Sequence, residues 1–331
     1  MSRADAPPSD QTASVLAVTT AEDGRRVDRI LAETDTVLSR RRIQNLIKNG
    51  HLDVETQTVT DPAHKVKAGA RLSLHIPASP SPRPEAEAQP LPVIHEDDSI
   101  IVIDKPADLV VHPGAGHIGG TLVNALIAHC GQGFIGTGVE QRAGIVHRLD
   151  KDTTGLLVAA KTPEAERELV AQFQAHSVGR RYTGVTWGCP SPTSGILTGA
   201  IGRSPVHRKK MAVREEGGRP ATTHYRVREA LCHGAAAVVA FTLETGRTHQ
   251  IRVHMAHAGH ALVGDPVYGG GGRRTQKHLP SHLRTAAATF PRQALHAGTL
   301  AFSHPITGER LHFDSSLPAD LAKLIAEMRA S

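Results

Sequence analysis

Apolar side chains recur along this chain at two different periods, and the change of period marks its organisation. In "RRVDRILAETDTVLSRRRIQNLIKNGHLDV", Val27, Ile30 and Leu31 repeat at helical spacing, as do Ile43, Leu46 and Ile47, which predicts two short helices. Ser39 stands where an N-cap belongs and Gly50 where a C′ residue belongs. "HLDV" and "RLSLHI" then alternate apolar and polar positions like strands, completing a small module over residues 14–77. Further along, short apolar runs separated by turn signals predict strands at "SIIVIDKP", "DLVVHPG", "GLLVAAKT", "RYTGVTWG" and "AVVAFTLETG". Three helices interrupt them. "TLVNALIAHC" starts at an N-cap Thr121, "TPEAERELVAQFQAH" at Thr162 with Pro163 at N1, and "THQIRVHMAHAG" ends with Gly259 at a C′ position.

Composition divides the chain where these periods change. Residues 1–13 are polar and contain Pro and Ser, which predicts a disordered leader. Residues 78–92, "ASPSPRPEAEAQPLP", hold five prolines and few large apolar side chains, the composition of a semi-rigid linker. Residues 93–331 then form the larger domain. Many strands with few helices predict an α+β fold with a largely antiparallel mixed sheet, preceded by a small α/β domain. With 331 residues and 39% apolar side chains, the chain is long enough for one large core and a satellite.

Charge points to an anionic partner. The net charge is +6, and residues 25–77 contain ten Lys and Arg against six Asp and Glu, a surplus of four. Arg40, Arg41 and Arg42 at a helix N-terminus oppose the macrodipole, so an anion is expected there, and phosphate would serve. Cys130, Cys189 and Cys232 have no paired spacing, which argues against a disulfide framework or a cysteine-rich zinc site and fits a reducing cytoplasm. No run approaches the roughly 18 apolar residues of a membrane span, and the start of the chain has no signal-type apolar core.

Candidate chemistry lies in "HRLDKDTTGLLV", which sets Asp150 between Arg148 and Lys151 just before a strand. Gly155 after Thr153 and Thr154 predicts a turn, so Asp150 should sit on a loop held by a sheet. A lone loop aspartate most often caps a turn or pairs with a neighbouring arginine. A second constellation, "ETGRTHQIRVHMAHAGH", sets Thr248 and Arg252 one helical turn apart, with Arg247 and His249 at the helix start. If that helix faces the loop, Arg252 can hold Asp150 ionised and oriented. His249, His254, His257 and His260 lack the spacing of a metal site and have Arg252 among them, so no metal is expected.

Two resemblances sharpen this picture. The pattern from "RVDRIL" through "SRRRIQNLIKNGHLDV" to "KVKAG" resembles the small RNA-binding domain first seen in a small-subunit ribosomal protein, with Glu55-Thr56 where that family often has Asn-Gly. "KPADLVVHPGAGHIGGTLVNAL", "GIVHRLDKDTTGLLVAAKT", "RRYTGV", "IGRSPVHRKKMAV", "ETGRTHQIRVHMAHAGHALVGDPVYGG" and "RQALHAGTLAFSHPITGE" resemble the RluA/RluD family of RNA pseudouridine synthases. The likeness is greatest to the branch that modifies large-subunit ribosomal RNA. Asp108 stands where that family usually has Gly, so a local change of turn is expected.

The resemblance implies a catalytic aspartate at Asp150, a tyrosine stacking beneath the target base at Tyr182, and an aspartate-pairing arginine at Arg252. It implies that Arg148 fills the stack a flipped uridine leaves. His147, Thr153, Arg247, Thr248, His249, Gln250 and His254 would contact RNA around the site, and Arg40, Arg41 and Lys48 would contact it in the small domain. A monomeric enzyme without cofactor is implied, acting on ribosomal RNA or a pre-ribosomal particle. The carboxylate could add to ribose, add to the base, or take a sugar proton to give a glycal. A non-catalytic ribosome-assembly protein of the same fold would share every basic patch and differ only at Asp150, Tyr182 and Arg252.

Overall fold

The computed structural model describes residues 14–19, 24–34, 40–76, 84–112, 119–131, 134, 144–207, 210–269 and 290–330. The leader 1–13, Ser39, most of "HPGAGH" and the side chain of Arg41 lie outside the described residues. The chain forms two compact units, Met1–Pro82 and Arg83–Ser331. No described helix is long and apolar enough to cross a membrane.

In the first unit, β1 (Ser14–Thr19), β6 (Arg71–Ile76), β3 (Leu52–Val54) and β4 (Gln57–Thr58) make a sheet in the order β1-β6-β3-β4, and β2 (Arg25–Arg26) pairs with β5 (Lys65–Val66). The helical periodicity is realised in α1 (Val27–Thr34) and α2 (Arg40–Lys48). Val27, Ile30, Leu31, Ile43, Leu46 and Ile47 meet Leu52, Leu72 and Leu74 in one core. Glu55 takes the left-handed conformation (φ 57°) that the two-residue β3–β4 turn requires, and its Oε1 accepts from Arg71 N at 2.9 Å. The turn therefore forms without Asn-Gly.

The second unit is built on a mixed, mostly antiparallel sheet. Its strands are β7 (Val93–Glu96), β8 (Ile100–Lys105), β9 (Thr154–Ala160), β10 (Gly179–Trp187), β11 (Ser194–Arg203), β12 (Met211–Arg214), β13 (Arg219–Leu231), β14 (Ala236–Leu243), β15 (Leu295–Ser303) and β16 (Arg310–Asp314). They run in the order β12-β11-β13-β14-β10-β15-β9-β8-β7, with β16 beside β15; the β15–β9 pair is parallel. α3 (Leu122–Cys130) and α4 (Pro163–Gln174) explain why β8 and β9 are apolar without alternation. Ile101, Ile103, Leu157 and Ala159 pack with α3 residues, whereas Ile100, Val102, Leu156 and Val158 pack with Ala165 and Leu169 of α4. Thr121 and Thr162 cap these helices, with Pro163 in the first turn, and Gly259 follows α5 (Gln250–His257) with φ 84°. A further helix, α6 (Ala319–Arg329), was not foreseen; Leu321, Leu324, Ile325 and Met328 pack on Trp187 and Leu231.

Two local expectations change. The described part of "DLVVHPG", residues 108–112, is no strand: Leu109 and Val111 are buried, but their chain is tied through Lys105 and the start of α3. Gly155 does not make the turn. It lies inside β9 at φ 114°, where a Cβ would run into the backbone carbonyl of Ala297 on the parallel strand. Asp108 takes a left-handed conformation (φ 64°), and its carboxylate meets Lys151 at 2.8 Å. Within the proline-rich stretch, Glu85 O accepts from Asn124 Nδ2 and Glu87 Oε2 accepts from Gly120 N, so residues 85–87 are bonded to the start of α3.

Candidate active site

The loop His147–Thr153 enters β9 and is held at nearly every residue. Leu149 is buried in the core, and Thr153 N donates to Asp150 O at 3.0 Å to close the turn that carries Asp150. Lys105, wholly buried, donates to Pro106 O, Leu109 O and Lys151 O at 2.7, 3.0 and 2.8 Å. Burial pulls its ammonium down to about 8, although Asp152 and Asp150 oppose that pull. Arg292 donates to Asp152 O at 3.1 Å, and Gln293 Nε2 to the Thr153 hydroxyl at 3.0 Å. These bonds come from residues 46 or more positions away along the chain, so the loop is a rigid platform.

Asp150 is reached from α5. Arg252 Nη1 donates to Asp150 Oδ2 at 2.8 Å, the pairing expected if α5 faces the loop. The same guanidinium is gripped from behind by Asp265, with Nε to Oδ2 at 2.7 Å and Nη2 to Oδ1 at 3.0 Å. Burial opposes the charge on Arg252, but Asp265 and Asp150 raise its pKa above the ordinary value. Burial likewise disfavours the Asp265 carboxylate, and Arg252 outweighs it and keeps the group acidic. Among the described residues no hydrogen bond reaches Asp150 Oδ1; His249 Nε2 lies 3.8 Å from it. One carboxylate oxygen is therefore fixed while the other stays available.

Tyr182 of β10 closes the arrangement. It sits where the β10–β15 register shifts between Arg181 and Thr183, is buried with Phe241 and Leu295, and lines a cleft of about 700 Å³ together with Asp150, Arg252 and Arg148. Burial raises its phenol above the ordinary value, with Arg180 opposing and Asp150 adding to the rise. Arg148 is exposed at this cleft, and Arg247, Thr248 and His249 are half-buried along it. His249 has a left-handed backbone (φ 57°), and its Nδ1 lies 2.9 Å from the Tyr268 hydroxyl, which also accepts from Met211 N. Thr248 precedes the helix rather than standing one turn inside it, because α5 begins at Gln250.

Several expected RNA contacts are occupied internally. Gln250 is buried, and its amide accepts from Thr245 Oγ1 and Arg247 N and donates to Thr222 O and Thr223 Oγ1, which fixes the loop before α5. His254 is buried against the Thr223 hydroxyl, and Thr153 is buried against Gln293. His147 stacks on Phe173 with centroids 4.7 Å apart, and its Nε2 accepts from Val158 N; burial, then Arg180, lower it to about 3, so the ring is neutral. Arg40 does not wait for an outside anion: with Arg26 and Gln44 it binds the Asp28 carboxylate. Lys48 is exposed on α2. Among the described residues no group of three or more His, Cys, Asp or Glu side chains is arranged to hold a metal ion.

Sequence reasoning missed Lys105, Asp265 and Tyr268. Arg252 lies 5.2 Å from the Tyr268 ring centroid, so both Asp265 and Tyr268 of "GDPVY" brace the arginine. Asp265 accepts from Val267 N and Tyr268 N in its own turn, but its grip on Arg252, thirteen residues away, carries no local signal.

The family model described as RNA pseudouridylate synthase matches residues 99–257, and the S4 domain model matches residues 25–72. A protein of Zymomonas mobilis subsp. mobilis named ribosomal large subunit pseudouridine synthase D is 44% identical over 93% of this chain and 95% of its own length. A protein of the same name from Pseudomonas aeruginosa is 46% identical over 92% of each chain. Among solved structures, human RNA pseudouridylate synthase domain containing 4 is similar with a TM-score of 0.56 and 26% identity, over 72% of this chain and 92% of that one.

Proposed function

This chain belongs to the RNA pseudouridylate synthase family, and from that membership we propose that it isomerises specific uridines of large-subunit ribosomal RNA with Asp150 as its catalytic carboxylate. It is an RNA-modifying enzyme with an S4 domain ahead of the catalytic unit, and RNA is its partner. The large-subunit substrate is carried by the names of its relatives. The observation that carries the role of Asp150 is its half-occupied carboxylate: Oδ2 is bound by a doubly anchored arginine, and Oδ1 is left beside the cleft.

Isomerisation breaks the bond from N1 to C1′, turns the base and joins C5 to C1′, while the C5 proton is lost and N1 gains one. In the glycal route Asp150 takes the C2′ proton as the glycosidic bond breaks and returns it as C5 attacks. Tyr182 offers an aromatic face to the detached base, and Arg252 keeps the carboxylate aimed. Arg148, exposed at the cleft, fills the gap left by the flipped nucleotide.

The test is a map of pseudouridines in large-subunit RNA from cells lacking the protein. Defined sites should be missing, reappear on expression of the wild type, and stay missing with Asp150→Asn expressed at the same level. An unchanged map would rule out the large-subunit substrate, and restoration by Asp150→Asn would rule out the catalytic role.

A further inference from the structure

The described residues of the catalytic unit contain three buried arginines, Arg180, Arg252 and Arg292, with 7%, 4% and 3% of their surface exposed. Two of them are neutralised in pairs with two matched bonds each, Arg252 by Asp265 and Arg292 by Asp320. Arg180 is not. Its Nη2 donates to the Glu244 carbonyl at 3.1 Å, its guanidinium lies over the Phe173 ring, and its buried Nε has no partner. Burying a guanidinium without a counter-ion is costly, and the usual solution is the carboxylate found at the other two.

The surroundings add positive charge instead. Arg219, exposed at the start of β13, and Arg247, whose Nε donates to Pro220 O at 3.0 Å, line the same cleft as Arg180. Among the described residues none of the three forms an ion pair with a carboxylate. Burial, then the like charges of Arg219 and Arg180, lower the pKa of Arg247. Gly246 leaves room for the cluster, because a Cβ there would stand 2.7 Å from Arg180 Nη1. Three separate segments of the chain thus bring like charges together in the wall of a cleft, a cost that a bound anion would offset.

We propose that Arg180, Arg219 and Arg247 form a phosphate subsite that takes one backbone phosphate of the RNA strand next to the nucleotide over Asp150. This rests on the reading of the cleft as an RNA-modifying site. The fork of a guanidinium matches two phosphate oxygens, and three forks from different elements can surround one phosphate. Arg180 and Tyr182 stand two residues apart on the same face of β10, roughly 7 Å along the strand, which is the scale of one nucleotide. The subsite would hold the strand in register while the base lies on Tyr182. The other arginines in contact with carboxylates have no such freedom.

Arg219 is the residue to change, because it is exposed and its loss leaves the core intact. Binding of the full chain to a synthetic RNA bearing the mapped uridine is measured over a series of monovalent salt concentrations. Arg219→Gln should bind about tenfold more weakly at moderate salt, and the slope of log affinity against log salt should become shallower by roughly 0.7 to 0.9. Arg219→Lys should retain most of that slope, and both variants should melt like the wild type. Phosphates are then neutralised one at a time as methylphosphonates. One linkage beside the target should cost the wild type about tenfold and cost Arg219→Gln nothing further. Wild-type affinity and slope in Arg219→Gln, or a full methylphosphonate penalty at every linkage in that variant, would overturn the subsite. If the coupling is found but no uridine is isomerised, the subsite stands and the functional reading falls; if uridine is isomerised without the coupling, the function stands and the subsite falls.

Discussion

Asp28 in the N-terminal unit and Asp150 in the catalytic unit are both carboxylates met by arginine, yet their remaining lone pairs are treated in opposite ways. Asp28 is fully buried and receives Arg26 on both oxygens, with Arg40 and Gln44 added on Oδ2 at 2.9 and 2.7 Å. Asp150 receives a single guanidinium nitrogen, and that guanidinium is held in place by a different acid, Asp265. A saturated carboxylate ties elements of a fold together. One that is oriented on a single side, with the orienting group anchored elsewhere, keeps an oxygen for chemistry. Arginine beside aspartate is the same local chemistry in both places; the difference lies in who else arrives.

Removing charge without changing shape should break this symmetry most clearly at Asp150. Asp150→Asn should lower single-turnover isomerisation by about 10⁴-fold or more, because an amide neither attacks nor takes a sugar proton at neutral pH. Its melting temperature should move by no more than a degree or two, since the platform is held by Lys105, Arg292 and Gln293 rather than by this side chain. Appreciable turnover by the variant, or a large fall in melting temperature with turnover retained, would make Asp150 a second Asp28.

The second test removes the anchor. Asp265→Asn keeps an oxygen for the Val267 and Tyr268 amides but takes away the charge that grips Arg252 Nε and Nη2. Arg252 then keeps Asp150 and the Tyr268 ring but loses its charged anchor, and its aim loosens. Single-turnover rate should fall by about 10²-fold with RNA affinity nearly unchanged. A variant that melts earlier while reacting at the wild-type rate would show that the orientation of Arg252 does not depend on Asp265.

What the sequence could reveal follows the same divide between local and distant partners. Thr121, Thr162 with Pro163, and Gly259 were legible because a cap acts within a few residues of itself. The Asp150–Arg252 pair spans 102 positions and was reached only by combining two dense motifs and a family resemblance. Gln250, His254 and Thr153 looked like groups for RNA because they are polar residues within those motifs. Their distant partners, Thr222, Thr223 and Gln293, lie 27 to 140 positions away and leave no trace in local spacing. "DLVVHPG" looked like a strand for a related reason: Leu109 and Val111 are buried, but the group that satisfies Leu109 O is the Lys105 ammonium, which no periodicity reports. Asp28 was equally hidden, and the arginine run above it looked like a request for phosphate until its internal partner was visible.

The smallest effect, and the one that tests Asp28 as a purely structural acid, is a matter of stability and pH. Burial alone would raise this carboxyl; the bonds from Arg26, Gln44 and Arg40 outweigh burial and hold it at about 2, against an ordinary 3.8. The folded unit therefore binds the proton more weakly than the unfolded chain. A carboxyl lowered in this way contributes its stability above pH 4 and loses it as pH falls through about 2. The contribution at neutral pH is about 2 kcal/mol. Asp28→Asn should remove it, and because each unit has a core of its own, amide hydrogen exchange within residues 27–76 is the measurement that isolates it. Exchange there should quicken by about 30-fold at pH 7, the gap from wild type should narrow as pH drops from 4 towards 2, and exchange in β8 to β10 should not change. Turnover by the folded variant should equal the wild type. A gap that persists at pH 2 would mean that Asp28 acts through packing rather than charge, and a loss of turnover with normal exchange would mean that the saturated carboxylate is not the idle partner in this comparison.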